Sequence, residues 1–227
     1  MAHSVLVVSE SGTGKSTSIR NLTPSETFII NIANKPLPFK GWRSQYPVTT
    51  DKGVTGNMSV DAKASDIIQI LRNVNKRTEI KNVVIDDLQY MSAFEYFERS
   101  AEKGFEKFTQ MATELASLAR IPQKMRDDMY VFFLTHAEDI TDAKGERKTK
   151  AKTIGKMIDN SLTLEGLFSI VLFGRVVKTQ DGEIKYVFET QNNGENTCKS
   201  PDGMFDDFMI PNDLQYVRDA IITYENA

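Results

Sequence analysis

Ser4-Val-Leu-Val-Val-Ser-Glu-Ser-Gly-Thr-Gly-Lys-Ser-Thr17 is the stretch whose reading decides the fold. Its first half is a short β-branched run that predicts a fully buried strand. Its second half, Ser9 to Thr17, matches the phosphate-binding pattern G-x-x-x-x-G-K-[ST] at every defined position but the first, where Ser9 replaces glycine. Residues from Lys15 to about Leu22 predict a helix that stops before Pro24. Strand, glycine-rich turn and helix in line are the context this pattern requires. The residue types follow from the chemistry. Gly12 and Gly14 let the backbone N–H groups of Ser11, Gly12, Thr13 and Gly14 turn inward around phosphate oxygens, and a helix N-terminus adds its dipole. Lys15 has the reach to meet the terminal phosphates, the Ser16 hydroxyl suits Mg²⁺, and Thr17 lies near the first phosphate. The ligands expected are therefore ATP and Mg²⁺.

The next chemistry-bearing run is Lys81-Asn-Val-Val-Ile-Asp-Asp87, an apolar strand ending in two acids. Asp86 is placed to hold the Mg²⁺ shell. Asp87 is read two ways, as the group that orients or deprotonates the attacking water or as a cap for the helix that follows. Glu10, inside the loop, is a weaker candidate base. Met129 to Thr135 predicts a fourth strand, and Thr135-His136 closes it at the edge where a doubly wound sheet binds ligands. That pair is a candidate sensor of the terminal phosphate, with a local strand-end hydrogen bond as the plainer reading.

Working outward, Thr27 to Ile32 predicts the second strand, and residues 36–62 carry scattered Pro and Gly with little periodicity, read as a mobile insertion. Ile67, Ile68, Leu71 and Val74 mark one face of a helix. Residues 92–121 read as mostly helical, with a break near Gly104 and a core stripe of Met111, Leu115, Leu118 and Ala119. Phe94, Tyr96 and Phe97 read as core or as an interdomain contact. Residues 167–173 and 186–190 predict two more strands, the latter pairing back on Arg175 to Lys178 across the Asp181-Gly182 turn. A last helix starts at Asn212 or Asp213. Strands alternating with helices argue an α/β domain, a mostly parallel twisted sheet flanked by helices, with a C-terminal β-hairpin region.

Composition sets the outer bounds. The chain has 227 residues, 40% hydrophobic and 26% charged, enough for one domain over 1–227. A net charge of −3 excludes a globally basic nucleic-acid coat protein. One cysteine and two histidines argue against a disulfide framework or a Cys/His metal centre. There is no apolar run of roughly 18 residues and no signal-like N-terminus, so a cytoplasmic protein without a membrane partner is expected. Within this acidic chain, residues 137–156 read as a basic loop. From Thr141 onward Lys144, Arg147, Lys148, Lys150, Lys152 and Lys156 stand against Asp142 and Glu146. A loop of that charge beside the sensor suits a phosphate backbone, although charge runs are usually just solvated. Lys199, after a flexible Gln-Asn-Asn-Gly loop, is either an ordinary turn lysine or a cation reaching a neighbouring subunit's nucleotide.

Several other readings fall away. Asn34-Lys35-Pro36-Leu37 has Leu37 where a guanine-reading N-K-x-D needs aspartate. No L-S-G-G-Q run of a transporter ATPase is present.

The order of these motifs, closing on Glu189-Thr-Gln-Asn-Asn-Gly-Glu-Asn-Thr-Cys-Lys-Ser-Pro-Asp-Gly-Met-Phe205, resembles the phage-encoded RecA-like ATPases of the single-strand annealing type, over roughly residues 4–35 and 80–215. The resemblance implies a RecA-like P-loop NTPase core. It implies ATP-dependent binding and annealing of single-stranded DNA in phage recombination, often beside a phage single-strand binding protein; with ATP at a subunit interface, a homo-oligomer, ring or filament, is the assembly expected. It also implies that Thr135-His136 is the sensor and that the following loop meets DNA. Ser9 and the Asp86-Asp87 pair depart from the family pattern. The acid pair is similar to that of helicase loaders and initiator ATPases, so a loader or replication adaptor that binds a replicative helicase is the rival reading. A third reading is a P-loop protein that binds nucleotide without turnover.

Overall fold

β-branched and aromatic runs too short for helices make the strands, and their apolar residues alternate between two buried faces. In the strand β1 (His3–Ser9), Leu6 and Val8 enter one core and Val5 and Val7 the other, so the run reads as continuously hydrophobic. The computed structural model describes residues 1–61, 63–141, 145, 147–153 and 163–227. The other strands are β2 (Thr27–Asn31), β3 (Met58–Ser59), β4 (Asn82–Asp86), β5 (Tyr130–Thr141), β6 (Arg147–Ala151), β7 (Ile170–Lys178), β8 (Ile184–Glu189) and β9 (Met209–Pro211). Among the described residues they form one nine-stranded sheet in the order β3-β2-β4-β5-β1-β7-β8-β9, with β6 paired to β5. The first six strands of that order pair in parallel, and β7-β8-β9 and β5-β6 pair antiparallel. The α/β class, the mostly parallel sheet and the hairpin after Phe173 are as the sequence predicts.

Helices cover both faces. α1 (Trp42–Gln45) is a single turn, followed by α2 (Ala64–Val74), α3 (Gln89–Glu98), α4 (Glu106–Arg120) and α5 (Leu214–Glu225). Ile67, Ile70, Leu71 and Val74 of α2 and Met111, Leu115 and Leu118 of α4 pack on one face of the sheet. Ile19, Tyr46 and the α5 residues Leu214, Val217 and Ile221 pack on the other. Gly104, at φ 93°, makes the expected break between α3 and α4.

The structure refines four expectations. The helical segment expected after Lys15 is a six-residue 3₁₀ helix, Ser16–Asn21, that ends before Pro24. Residues 36–61 form a packed excursion: Leu37, Tyr46 and Met58 are buried, and Asn57 Nδ2 donates to the Gln45 carbonyl oxygen at 2.7 Å. Aperiodic sequence here reflects tethering by side-chain-to-backbone bonds. The described part of the basic segment is a ribbon rather than a loop. β5 runs on past His136 to Thr141, and β6 folds back on it with Ala137 opposite Ala151 and Thr141 opposite Arg147. Lastly, Phe94, Tyr96 and Phe97 lie outside the core, with Phe97 69% exposed.

Candidate functional site

The parallel order places the C-terminal ends of β1, β4 and β5 side by side, with β5 between the other two. In register, Ser9 stands beside His136 on one side and Gly174 on the other. The loop after Ser9 turns through Gly12 at φ 82° and Gly14 at φ 87°, conformations an L side chain rarely adopts. Ser9 fits at the first position because β7 offers glycine opposite: a Cβ on Gly174 would lie 2.8 Å from the Ser9 Cβ. Lys15 Nζ donates to the Ser9 and Glu10 carbonyl oxygens, each at 3.1 Å. Burial pulls the Lys15 ammonium down to about 8, against the pull of Asp87 and Asp86.

β4 delivers Asp86 to the floor of the site. Burial, with Asp87 adjoining, pushes its carboxyl up to about 6, while a hydrogen bond from the Ser16 side chain opposes the rise. Its Oδ1 is buried with no hydrogen-bond partner among the described residues. A hydroxyl and a buried carboxylate with a spare oxygen form an all-oxygen donor set that fits Mg²⁺.

Asp87 is held at φ 63°, with its carboxylate 2% exposed. It does not cap α3: the residue at that cap is Leu88, without a side-chain bond. Its Oδ2 pairs with Lys35, and its Oδ1 lies 3.4 Å from His136 Nε2. Burial alone would raise this carboxyl, but His136 and Lys35 together hold it at about 2. Thr135 and His136, the candidate sensor pair, are fixed through Gln89, whose Oε1 accepts from Thr135 Oγ1 at 3.3 Å and from the His136 amide at 3.2 Å.

Ser11, Gly12, Gly14, Lys15, Ser16, Thr17, Asp87 and His136 line one cavity of ≈ 470 Å³. Thr13 turns its hydroxyl back to the Glu10 carbonyl at 2.8 Å, and Glu10 is exposed outside the cavity. Lys199 does not line it; its backbone pairs with Val171 through N–H···O bonds of 2.8 and 2.9 Å. On the ribbon, Arg147 pairs with Asp139, and Lys150 Nζ lies 3.3 Å from Glu138 Oε1. The partner strand thus offsets part of the basic charge that the sequence counts. The Lys152 amide donates to the His136 carbonyl at 2.7 Å, tying the ribbon to the strand end at His136. Lys144 and Lys156 lie outside the described residues.

Sequence reasoning missed Lys35, Arg20, Tyr186 and Asn212, all of which line the cavity. Lys35 was visible only in a motif set aside for lacking its aspartate. Tyr186 and Asn212 carry no local signal. They reach the loop by tertiary packing, with Asn212 Nδ2 donating to the Thr13 carbonyl at 3.2 Å and both residues closing over Gly14.

A family model described as an AAA domain matches residues 1–201. No curated protein matches the chain. Asn212, β9 and α5 lie beyond the matched residues. Among the described residues no helix is long and apolar enough to cross a membrane. The chain belongs to the AAA-domain family of P-loop ATPases.

Proposed function

We propose that this AAA-domain protein binds and hydrolyses ATP with Mg²⁺ at the β1–β4–β5 edge and uses the cycle to bind single-stranded DNA and promote its annealing in phage recombination. The observation that carries the reading is the continuity of the site. The Gly12–Lys15 loop, the Ser16–Asp86 contact and the Asp87–His136 pair meet at one edge, and the ribbon bearing the basic side chains grows directly out of His136.

In this reading Lys15 leaves the Ser9 and Glu10 carbonyls for the phosphates. Ser16 and Asp86 hold the cation, which when bound neutralises charge on the phosphate oxygens. Asp87, ionised at neutral pH, orients the attacking water and draws on its proton. His136 feels the change at Asp87 and passes it through the Lys152 tie to the ribbon. Arg147, Lys148, Lys150 and Lys152 then meet the DNA backbone, together with Lys144 and Lys156. The assembly is a homo-oligomer, ring or filament. Lys199, off its own chain's cavity, serves as the cation for a neighbour's nucleotide. A phage single-strand binding protein is the companion expected.

One feature favours a helicase loader or replication adaptor instead. Phe97 and Phe105 are 69% and 72% exposed on the α3–α4 corner, a surface suited to a protein partner such as a replicative helicase. Steady-state ATP hydrolysis with and without single-stranded DNA, at two salt concentrations, separates the two. Annealing predicts DNA-stimulated turnover that fades with salt and is abolished by Lys15→Ala. Bound ATP with turnover indifferent to DNA would select the adaptor.

A further inference from the structure

We propose that Lys35 is a second phosphate-binding cation of this site, held on Asp87 in the nucleotide-free protein and transferred to the terminal phosphate when a nucleoside triphosphate binds. The inference rests on the nucleotide reading above and adds a residue that the loop motif does not contain.

The backbone places Lys35 and leaves its side chain able to move. β2 ends with Asn31 directly beside Asp86 in the sheet register. The chain then turns through Asn34 at φ 50°. Asn31, 2% exposed, grips Lys35 from both sides: its Nδ2 donates to the Lys35 carbonyl at 2.6 Å, and its Oδ1 accepts from the Lys35 amide at 3.3 Å. The Lys35 side chain is 54% exposed, lines the same cavity as Lys15 and ends on the Asp87 carboxylate.

The charges explain why it sits there and where it goes. Asp87 is a buried ionised carboxylate, costly unless paired. Lys35 and His136 are its charge partners. A terminal phosphate beside Asp87 would suffer like-charge repulsion unless a cation stands between them. Lys15 approaches from the loop side, and Lys35 is the cation on the Asp87 side. A lysine on a clamped backbone can exchange one anion for another by rotating its stem alone. In doing so it leaves Asp87 paired with His136 and open toward water. Lys35 Nζ also lies 5.8 Å from the centroid of the Tyr90 ring.

The test measures ATP and ADP affinity by titration calorimetry with Mg²⁺. It uses the wild type, Lys35→Ala, Lys35→Arg, Asp87→Asn and the Lys35→Ala/Asp87→Asn pair, with circular dichroism confirming folding. Loss of a charge-assisted contact to the terminal phosphate predicts that Lys35→Ala weakens ATP about tenfold and ADP less than about twofold, and that Lys35→Arg recovers most of the loss. The decisive comparison is in the Asp87→Asn background. A loss of ATP affinity that persists there supports a phosphate contact. A loss that vanishes there means Lys35 only neutralises Asp87, and overturns the proposal. Equal weakening of ATP and ADP overturns it as well. A wild type that binds ATP while Lys35→Ala is unaffected removes Lys35 alone. A wild type that binds neither nucleotide removes the nucleotide reading and Lys35 with it.

Discussion

Ser9 and Gly174 are a matched pair. A side chain at the first loop position needs space on the neighbouring strand, and β7 supplies it with the one residue that has no Cβ. Gly174→Ala would force its methyl against Ser9, and overpacking of this kind costs about 1–3 kcal/mol. Denaturant unfolding should show that loss, and Ser9→Gly in the same background should restore most of it. Equal destabilisation in both backgrounds would mean that the cost comes from elsewhere on β7. The two adjoining acids show how position divides one residue type into two roles. Asp86, beneath Ser16, sits high at about 6 through burial. Asp87, one residue on, turns to Lys35 and His136 and sits at about 2. The sequence assigns the two acids different roles but leaves Asp87 open between water and helix cap, because the left-handed turn there is decided by the surroundings.

At the scale of elements, the β5–β6 ribbon is the part whose prediction most needed the structure. Counted along the chain from Thr141 to Lys156, the segment has a local excess of four positive charges. Folded, it faces Glu138 and Asp139 across the ladder, and Arg147 and Lys150 are in ion pairs with them. In the proposed function, its affinity for DNA phosphates would be set by a competition between DNA and the ribbon's own acids. Neutralising Lys148, Lys150 and Lys152 together should weaken single-stranded DNA binding and flatten its dependence on salt, while basal ATP turnover stays nearly intact. Filter binding across a salt series checks this, and unchanged affinity in the triple variant would remove the ribbon from the DNA interface. The strand character was missed because a polar, lysine-rich run has low strand propensity, and the existing edge of β5 supplies the pairing.

At the scale of the whole molecule, the two acids of the site bear on the stability of the fold in opposite senses. Between pH 3.8 and about 6 the native chain holds a proton on Asp86 that the unfolded chain has released, so this residue makes stability fall as pH rises through that window. Asp87 acts oppositely: its contribution is present above pH 3.8 and is lost only as pH falls through about 2. If Asp86 holds Mg²⁺ as proposed, the cation needs it ionised, so the combined rise in Tm with Mg²⁺ and ATP should be larger at pH 7 than at pH 5, and Asp86→Asn should erase the difference. Thermal melts at the two pH values with and without Mg²⁺ and ATP test this, and an equal rise at both would contradict it. The sequence by itself determined what local chemistry can encode. The buried runs became β1, β2, β4, β5 and β7, the glycine-lysine loop became the centre of the cavity, and an acid-tipped strand became its floor. Only the tertiary structure decided that β5 lies between β1 and β4, and that Lys35, Tyr186 and Asn212 close on the loop. It also turned a basic run into a ribbon tied to His136. Strand order and contacts between distant segments are set by packing two apolar faces at once, and no window of sequence contains both partners.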